Sequence, residues 1–141
     1  MTRLSENFTS EEFECSCCGE TLISPTLILK LQSLRDLVGE PIYVASGYRC
    51  PQHNKSVGGY SHSPHLTGEG ADIRVKGWLP MPFAIIASKI TGIRIGCYPN
   101  HIHIDIMPPA PSKYWLVKKY GDKYIYSGNE TNLAKFLKNN L

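Results

Sequence analysis

At 141 residues the chain has the size of one domain. Its 42% hydrophobic content supports an ordinary core, and 19% charged residues argue against disorder. A net charge of +3 is too mild to mark a nucleic-acid binder, although it suits an anionic polymer. No run approaches the ~20 apolar residues of a membrane span, and residues 1–7 lack the apolar segment of a secretory signal. The expectation is a monomer made in the cytoplasm, with neither membrane nor nucleic acid as partner. A trimmed mature form has the same appearance.

In chain order, residues 8–13 read as a short capped helix. Thr9 is its N-cap, Glu12 completes a capping box, and Phe8 and Phe13 face inward. Residues 24–39 give the clearest helix signal: Ser24 as cap, Pro25 in the first turn, Gly39 as terminator. Leu27, Ile28, Leu31, Leu34, Leu37 and Val38 form its apolar stripe. Residues 41–46 read as a strand with Ile42 and Val44 on one face. It delivers Gly47, Tyr48 and Arg49 to a loop, and residues 53–60 continue as irregular chain. There Asn54 is expected to hydrogen-bond backbone, His53 to be solvated, and Tyr60 to pack or to line a cleft. Residues 71–75 form a short strand, 78–82 a turn, and 83–90 a second helix ended near Gly92. Residues 93–98 and 101–106 form a hairpin that turns at Pro99-Asn100. Residues 114–126 read as another hairpin, turning at Gly121-Asp122, whose aromatics are expected to pack on the domain rather than to stack on ligand. Residues 129–141 close the chain as an amphipathic helix with Leu133, Phe136 and Leu137 inward.

Five cysteines stand at 15, 17, 18, 50 and 97, and an odd count excludes complete intramolecular pairing. For Cys15, Cys17, Cys18 and Cys50, a small structural metal clip, a disulfide and reduced thiols all fit. A tie from Cys50 to the 15–18 loop would brace Arg49.

Two stretches carry chemistry. Residues 61–72 hold His62, His65 and Asp72; residues 101–105 hold His101, His103 and Asp105. Alternation on a strand puts His101, His103 and Asp105 on one face and Ile102 and Ile104 on the other, so two imidazoles aim at one cavity. Gly68 and Gly70 let the intervening chain turn sharply. A lone His-x-His is as well explained by a solvated strand face. Two such stretches in one small chain point instead to a metal site, because imidazole and carboxylate suit zinc. Asp105 reads as a group that orients a ligand histidine, the alternative being a surface carboxylate. Glu69 reads as exposed.

The ordered set Ser46-Gly-Tyr-Arg49, Asn54, Val57-Gly-Gly59, Ser61, His65, Gly68, Asp72, His101, His103 and Asp105 resembles the zinc D-alanyl-D-alanine carboxypeptidase family, over roughly residues 5 to 108. That family shares a superfamily of zinc folds with lysostaphin-type peptidases and the hedgehog signalling domain. The resemblance implies an α+β fold, a small and mainly antiparallel sheet with packed helices and a zinc cleft on its open face. It implies a zinc peptidase domain over 1–110, with 111–141 as a packed extension of it. His65, Asp72 and His103 become Zn²⁺ ligands, His101 the catalytic histidine that binds no metal, and Arg49 the arginine that grips substrate. His62 matches an extra histidine of the endopeptidase branch and is assigned to substrate. One departure stands out: many members carry Glu or Asp three residues before the last ligand, where this chain has Asn100, which shifts proton transfer to His101.

The implied function is zinc-dependent hydrolysis of peptidoglycan stem peptides or crosslinks, of D,D-carboxypeptidase or endopeptidase type. It would act on the cell wall or in the periplasm after release, as a phage or bacterial lytic enzyme (an endolysin, or a virion component). The alternative is a non-catalytic, zinc-containing module that binds cell wall or protein.

Overall fold

The structure is a computed structural model that describes residues 2–108 and 113–140, the side chains of 128 and 129 excepted. Six strands run in chain order: β1 Ile42–Ser46, β2 Gly70–Val75, β3 Arg94–Cys97, β4 Ile102–Asp105, β5 Tyr114–Tyr120 and β6 Lys123–Glu130. They form one sheet in the order β1-β2-β4-β3-β5-β6. Every neighbouring pair is antiparallel except β3 with β5, which is parallel. Four helices accompany it: α1 Pro25–Val38, α2 Pro51–Ser56, α3 Pro80–Ala87 and α4 Leu133–Asn140. This is the α+β architecture expected, with a mostly antiparallel sheet. Among the described residues no helix is long and apolar enough to cross a membrane.

Strand parity divides the sheet into a core face and a chemical face. In the register, Ala71 pairs with Ile104 and Ile73 with Ile102, while Asp72 pairs with His103 and Gly70 with Asp105. The apolar set is fully buried and packs with Leu27, Leu31 and Leu34 of α1, Phe83 of α3 and Phe136 of α4. Removing each such aliphatic side chain from water is worth roughly 1.5–3 kcal/mol, so the core fixes which face the polar set must take.

α1 ends as expected at Gly39, whose backbone adopts φ 75° and whose N–H donates to the Arg35 carbonyl (2.9 Å). Its stripe is shorter than expected: Leu37, in the last turn, is 46% exposed, and Val38 is half-buried. Ser24 donates its backbone N–H to the Gly68 carbonyl (2.8 Å) and makes no side-chain cap. The short helical turn near the N-terminus spans Ser10–Phe13 and is of 3-10 type. Glu12 accepts from the Thr9 N–H at 2.7 Å, and Phe8 and Phe13 are buried.

Several element boundaries depart from expectation. Residues 51–56 form helix α2 rather than loop, because Pro51 suits the first helical position and the Cys50 sulfur accepts the His53 N–H as a cap (3.4 Å). His53, expected in solvent, is half-buried, with Nε2 3.3 Å from Ser16 Oγ. α3 begins at Pro80, three residues early, since prolines in a first turn forfeit no helical hydrogen bond. At the other end β6 continues to Glu130, so α4 begins at Leu133 rather than at 129; Leu141, the expected last residue of that helix, lies outside the described residues. The turn at Gly121-Asp122 falls where expected, between β5 and β6.

Candidate metal centre and cleft

Three segments converge on the chemical face. Asp72 and His103 stand opposite each other on β2 and β4. His65 comes from a 3-10 turn, Pro64–Leu66, stitched to the loop after β1 by the Arg49 N–H donating to the His65 carbonyl (3.0 Å). Just after the turn the chain packs against residues 22–24, which requires Gly68: it adopts φ +73°, and a Cβ there would sit 2.3 Å from the Leu22 carbonyl oxygen.

One donor atom from each of His65, Asp72 and His103 lies within 4.8 Å of the others. His65 Nε2 is 3.3 Å and His103 Nδ1 2.9 Å from the same Asp72 oxygen. The far side of each imidazole is anchored. His65 Nδ1 is 2.7 Å from the Gly47 carbonyl oxygen, which only accepts, so Nδ1 carries the proton and Nε2 presents a lone pair to the centre. His103 Nε2 lies 2.7 Å from Asp105 Oδ2. Asp105 is fully buried and also receives Arg94 Nε (2.7 Å), Arg94 Nη2 (3.0 Å) and the Met107 N–H (3.1 Å). It is thus the orienting group rather than a surface carboxylate.

The protonation states follow from these contacts. Burial disfavours charge on His103, yet hydrogen bonds to Asp105 and Asp72 outweigh it and raise its pKa to about 9. Burial likewise opposes the Asp72 carboxylate, but the hydrogen bond from His103, and after it the contact with His65, hold it well below the usual carboxylate range. Asp105 is lowered for the same reasons: burial works against it, and His103 and then Arg94 prevail. Once an incoming cation displaces the His103 Nδ1 proton, an ionised carboxylate facing two imidazoles, each braced on its outer nitrogen, is a donor set that fits a divalent cation of zinc's character.

The centre lines a cavity of about 790 Å³. His101, on the turn into β4, has its ring stacked on Tyr98 (centroids 4.7 Å apart, planes 8° apart). Its Nδ1 donates to Asn100 Oδ1 (2.7 Å), which leaves the Nε2 lone pair 3.8 Å from Asp72 Oδ2. Burial pushes the His101 pKa below its ordinary value, with Asp72 pulling in the opposite direction, so the ring is neutral. Arg49 donates from Nε to Ser46 Oγ (3.1 Å) and from Nη2 to Asp72 Oδ2 (3.2 Å).

His62 is exposed and does not line the cavity. Glu69, expected in solvent, is half-buried; its carbonyl accepts the Ile106 N–H, and it too is absent from the lining. Asn54 donates to the Tyr60 carbonyl (2.7 Å), as expected, and Tyr60 takes the cleft option, lining the cavity at 73% exposure.

The C-terminal hairpin supplies a wall not anticipated in the sequence. Trp115, Tyr124 and Tyr126 line the cavity, with both tyrosines about half exposed (53% and 52%). Trp115 approaches His103 (centroids 5.7 Å) because position 96, paired with both, is glycine; a Cβ there would lie 2.4 Å from the indole. The i, i+2 spacing of Tyr124 and Tyr126 signals a shared face. The parallel pairing of β5 with β3 is what turns that face to the cleft, and no local signal announces it.

A sequence model described as Peptidase M15 matches residues 6–105. The chain belongs to the peptidase M15 family. The match spans Arg49, the three-residue donor cluster, His101 and Asp105, and stops at the end of β4, so the β5–β6 wall lies beyond the matched M15 segment. The chain is also 30% identical over 95 residues to the zinc D-Ala-D-Ala carboxypeptidase of Streptomyces albus G. That alignment covers 65% of this chain and 37% of the relative, so the chain matches little more than a third of that protein's length.

Proposed function

We propose that this M15 protein is a zinc-dependent peptidase acting on peptidoglycan stem peptides, with His65, Asp72 and His103 as the ligands. The observation that carries the reading is the convergence of those three donors, within 4.8 Å of one another, on the wall of a cavity large enough for a peptide. The name of the Streptomyces albus G relative supports both the metal and the D-Ala-D-Ala substrate class. A zinc ion held there supplies Lewis acidity toward a scissile carbonyl and acidifies water.

The chain's own groups do the rest. His101 Nε2 accepts the proton of the attacking water and returns it to the leaving amine. General acid–base help of this kind is worth ~10²–10⁴-fold. Asn100 takes no proton; its amide oxygen fixes the His101 tautomer through Nδ1–H and stabilises the imidazolium as it forms. Arg49 commits two of its N–H donors to Ser46 and Asp72, and the rest of its planar fork receives a substrate carboxylate. Lys113 and Lys119 also line the cavity and add positive charge that suits carboxylate-bearing stem peptides, whereas the charge of Arg94 is taken up by Asp105. His62, exposed beside the His65 turn, is reached only by a substrate that extends past the cleft. Action on the wall as a phage or bacterial lytic enzyme is the corresponding role where the bonds cut are crosslinks.

The deciding experiment is mass spectrometry of peptidoglycan and soluble stem peptides after incubation with the protein. Native, chelator-treated and His101→Ala samples run in parallel. Products formed only by the native, metal-replete chain support the peptidase, and their masses separate loss of a terminal D-alanine from crosslink cleavage. A zinc-loaded chain that yields no product yet sediments with the wall overturns it in favour of a binding module.

A further inference from the structure

A second cluster of metal-binding side chains lies apart from the cleft. One sulfur from each of Cys15, Cys18 and Cys50 lies within 4.8 Å of the others. The exposed Cys17 thiol stands beside Cys50, so a fourth sulfur flanks the three-sulfur group. None of the five cysteines is in a disulfide. Two backbone N–H groups are aimed at the sulfurs: Cys50 N–H at Cys15 Sγ and His53 N–H at Cys50 Sγ, each 3.4 Å. Burial opposes ionisation of Cys15, yet backbone N–H groups, that of Cys50 foremost, bring its thiol down to about 7. Cys97 is the contrast: alone in the core, its thiol is pushed up to about 11 by burial.

The surrounding chain needs a fastener. Residues 16–22 are all exposed and form no helix or strand. The hydrogen bonds of Cys15 N–H to the Glu20 carbonyl and Gly19 N–H to the Cys15 carbonyl (both 2.8 Å) close a tight knuckle around the cysteines. A loop that buries so little apolar surface does not hold a fixed shape by hydrophobic packing. One disulfide would engage two of the three clustered sulfurs, whereas a tetrahedral thiolate-binding cation engages all three and has room for a fourth ligand.

We propose that Cys15, Cys18 and Cys50, with Cys17 as fourth donor, bind a structural zinc ion that fastens the 15–20 knuckle to the N-terminus of α2. Soft thiolates select zinc over hard cations, and a site with four sulfur ligands keeps no position for water, so it is structural rather than catalytic. The fastening acts one residue from Arg49. On the preceding side, the Tyr48 N–H already donates to the Phe13 carbonyl (2.9 Å), so zinc would hold Arg49 from its other flank. The proposal does not depend on the peptidase reading.

The test is cobalt substitution of the reduced full-length chain, read by absorption spectroscopy alongside metal analysis of the zinc form. Thiolate-to-cobalt charge transfer in the near ultraviolet arises only at sulfur ligands, which separates this site from the histidine–aspartate centre. Expected are about two zinc ions per chain and a strong charge-transfer band. His65→Ala should lose about one zinc and keep the band; Cys50→Ser should lose about one zinc and the band with it. Cys17→Ser, at an exposed position, should retain the fold and shift the visible cobalt bands toward a three-sulfur set. A cobalt-loaded native chain with reduced thiols and no charge-transfer band overturns the proposal, as does iron in place of zinc in the purified protein. Unchanged visible bands in Cys17→Ser remove Cys17 from the ligand set. The native and His65→Ala arms decide the matter even if Cys50→Ser fails to fold.

Discussion

The two walls of the cleft are built on opposite principles. On β2 and β4, Asp72, His103 and Asp105 are buried, paired across the sheet and hydrogen-bonded to one another. On β5 and β6, Tyr124 and Tyr126 stand half exposed on a hairpin at the sheet's edge, with no such network. The first wall lies inside the M15 match and the second outside it. Chemistry that needs fixed distances sits where two paired strands and a core hold it, while contacts that need only area and an aromatic face sit on an edge that tolerates change. Breaking the first wall should therefore abolish function, and breaking the second should only retune it.

The largest effect is expected from His103→Ala. It removes a proposed ligand and leaves the buried carboxylates of Asp72 and Asp105 facing each other without the imidazole between them. Loss of a buried ionic partner costs about 3–5 kcal/mol of stability. Loss of the metal, worth several kcal/mol in the transition state, should lower hydrolysis by at least ~10³-fold. Thermal unfolding and zinc analysis of the same sample check both. His101→Ala should lower kcat by ~10²–10⁴-fold with zinc content unchanged, because His101 touches the centre only through a 3.8 Å approach to Asp72. Zinc loss in that variant would make His101 a ligand and collapse the division of roles.

Asp105→Asn tests the same wall one layer back. The amide cannot match a carboxylate that accepts from His103, both Arg94 nitrogens and the Met107 N–H. Zinc affinity should fall ~10–100-fold, with activity recovering as zinc is raised. Competition against a zinc-binding dye measures the first, and rescue by excess metal separates a positioning role from general unfolding.

The contrast between the walls also explains what was legible in the sequence. The alternation from His101 to Asp105 has period two, so the polar face and the buried Ile102 and Ile104 could be read from one short segment. That Asp72 lies opposite His103 depends on β2 pairing with β4, a long-range event that residue spacing suggests only when both stretches are considered together. α2 was missed because six residues carry too little periodicity, and its start signal, a cysteine cap before Pro51, is an unusual one. Leu37 belongs to the heptad-like stripe by spacing, but α1 ends before anything covers it. The hairpin's turn at Gly121-Asp122 was visible in composition, whereas the direction its tyrosines face was not, since that depends on a parallel partner strand. The knuckle's cysteines stood out as a cluster, but their meeting with Cys50 required the fold.

The smallest effect should come from the edge. Tyr124→Ala combined with Tyr126→Ala removes two half-exposed rings at the sheet's edge, so stability should change by no more than ~0.5 kcal/mol. If those rings pack against bound peptide, each is worth about 0.5–1.5 kcal/mol. The pair should then raise KM roughly 5- to 150-fold with kcat nearly constant, the signature of binding shared equally by ground and transition states. A fall in kcat with KM unchanged would mean that the hairpin positions the reacting centre instead, through Trp115 against His103, and the two walls would have to be regarded as one. Gly96→Ala separates these cases, since its new methyl displaces the indole from His103 while leaving both tyrosines in place. A kcat defect there, beside a KM defect in the tyrosine pair, would show that the boundary between the rigid and the adaptable wall runs through the hairpin itself, with Trp115 on the rigid side.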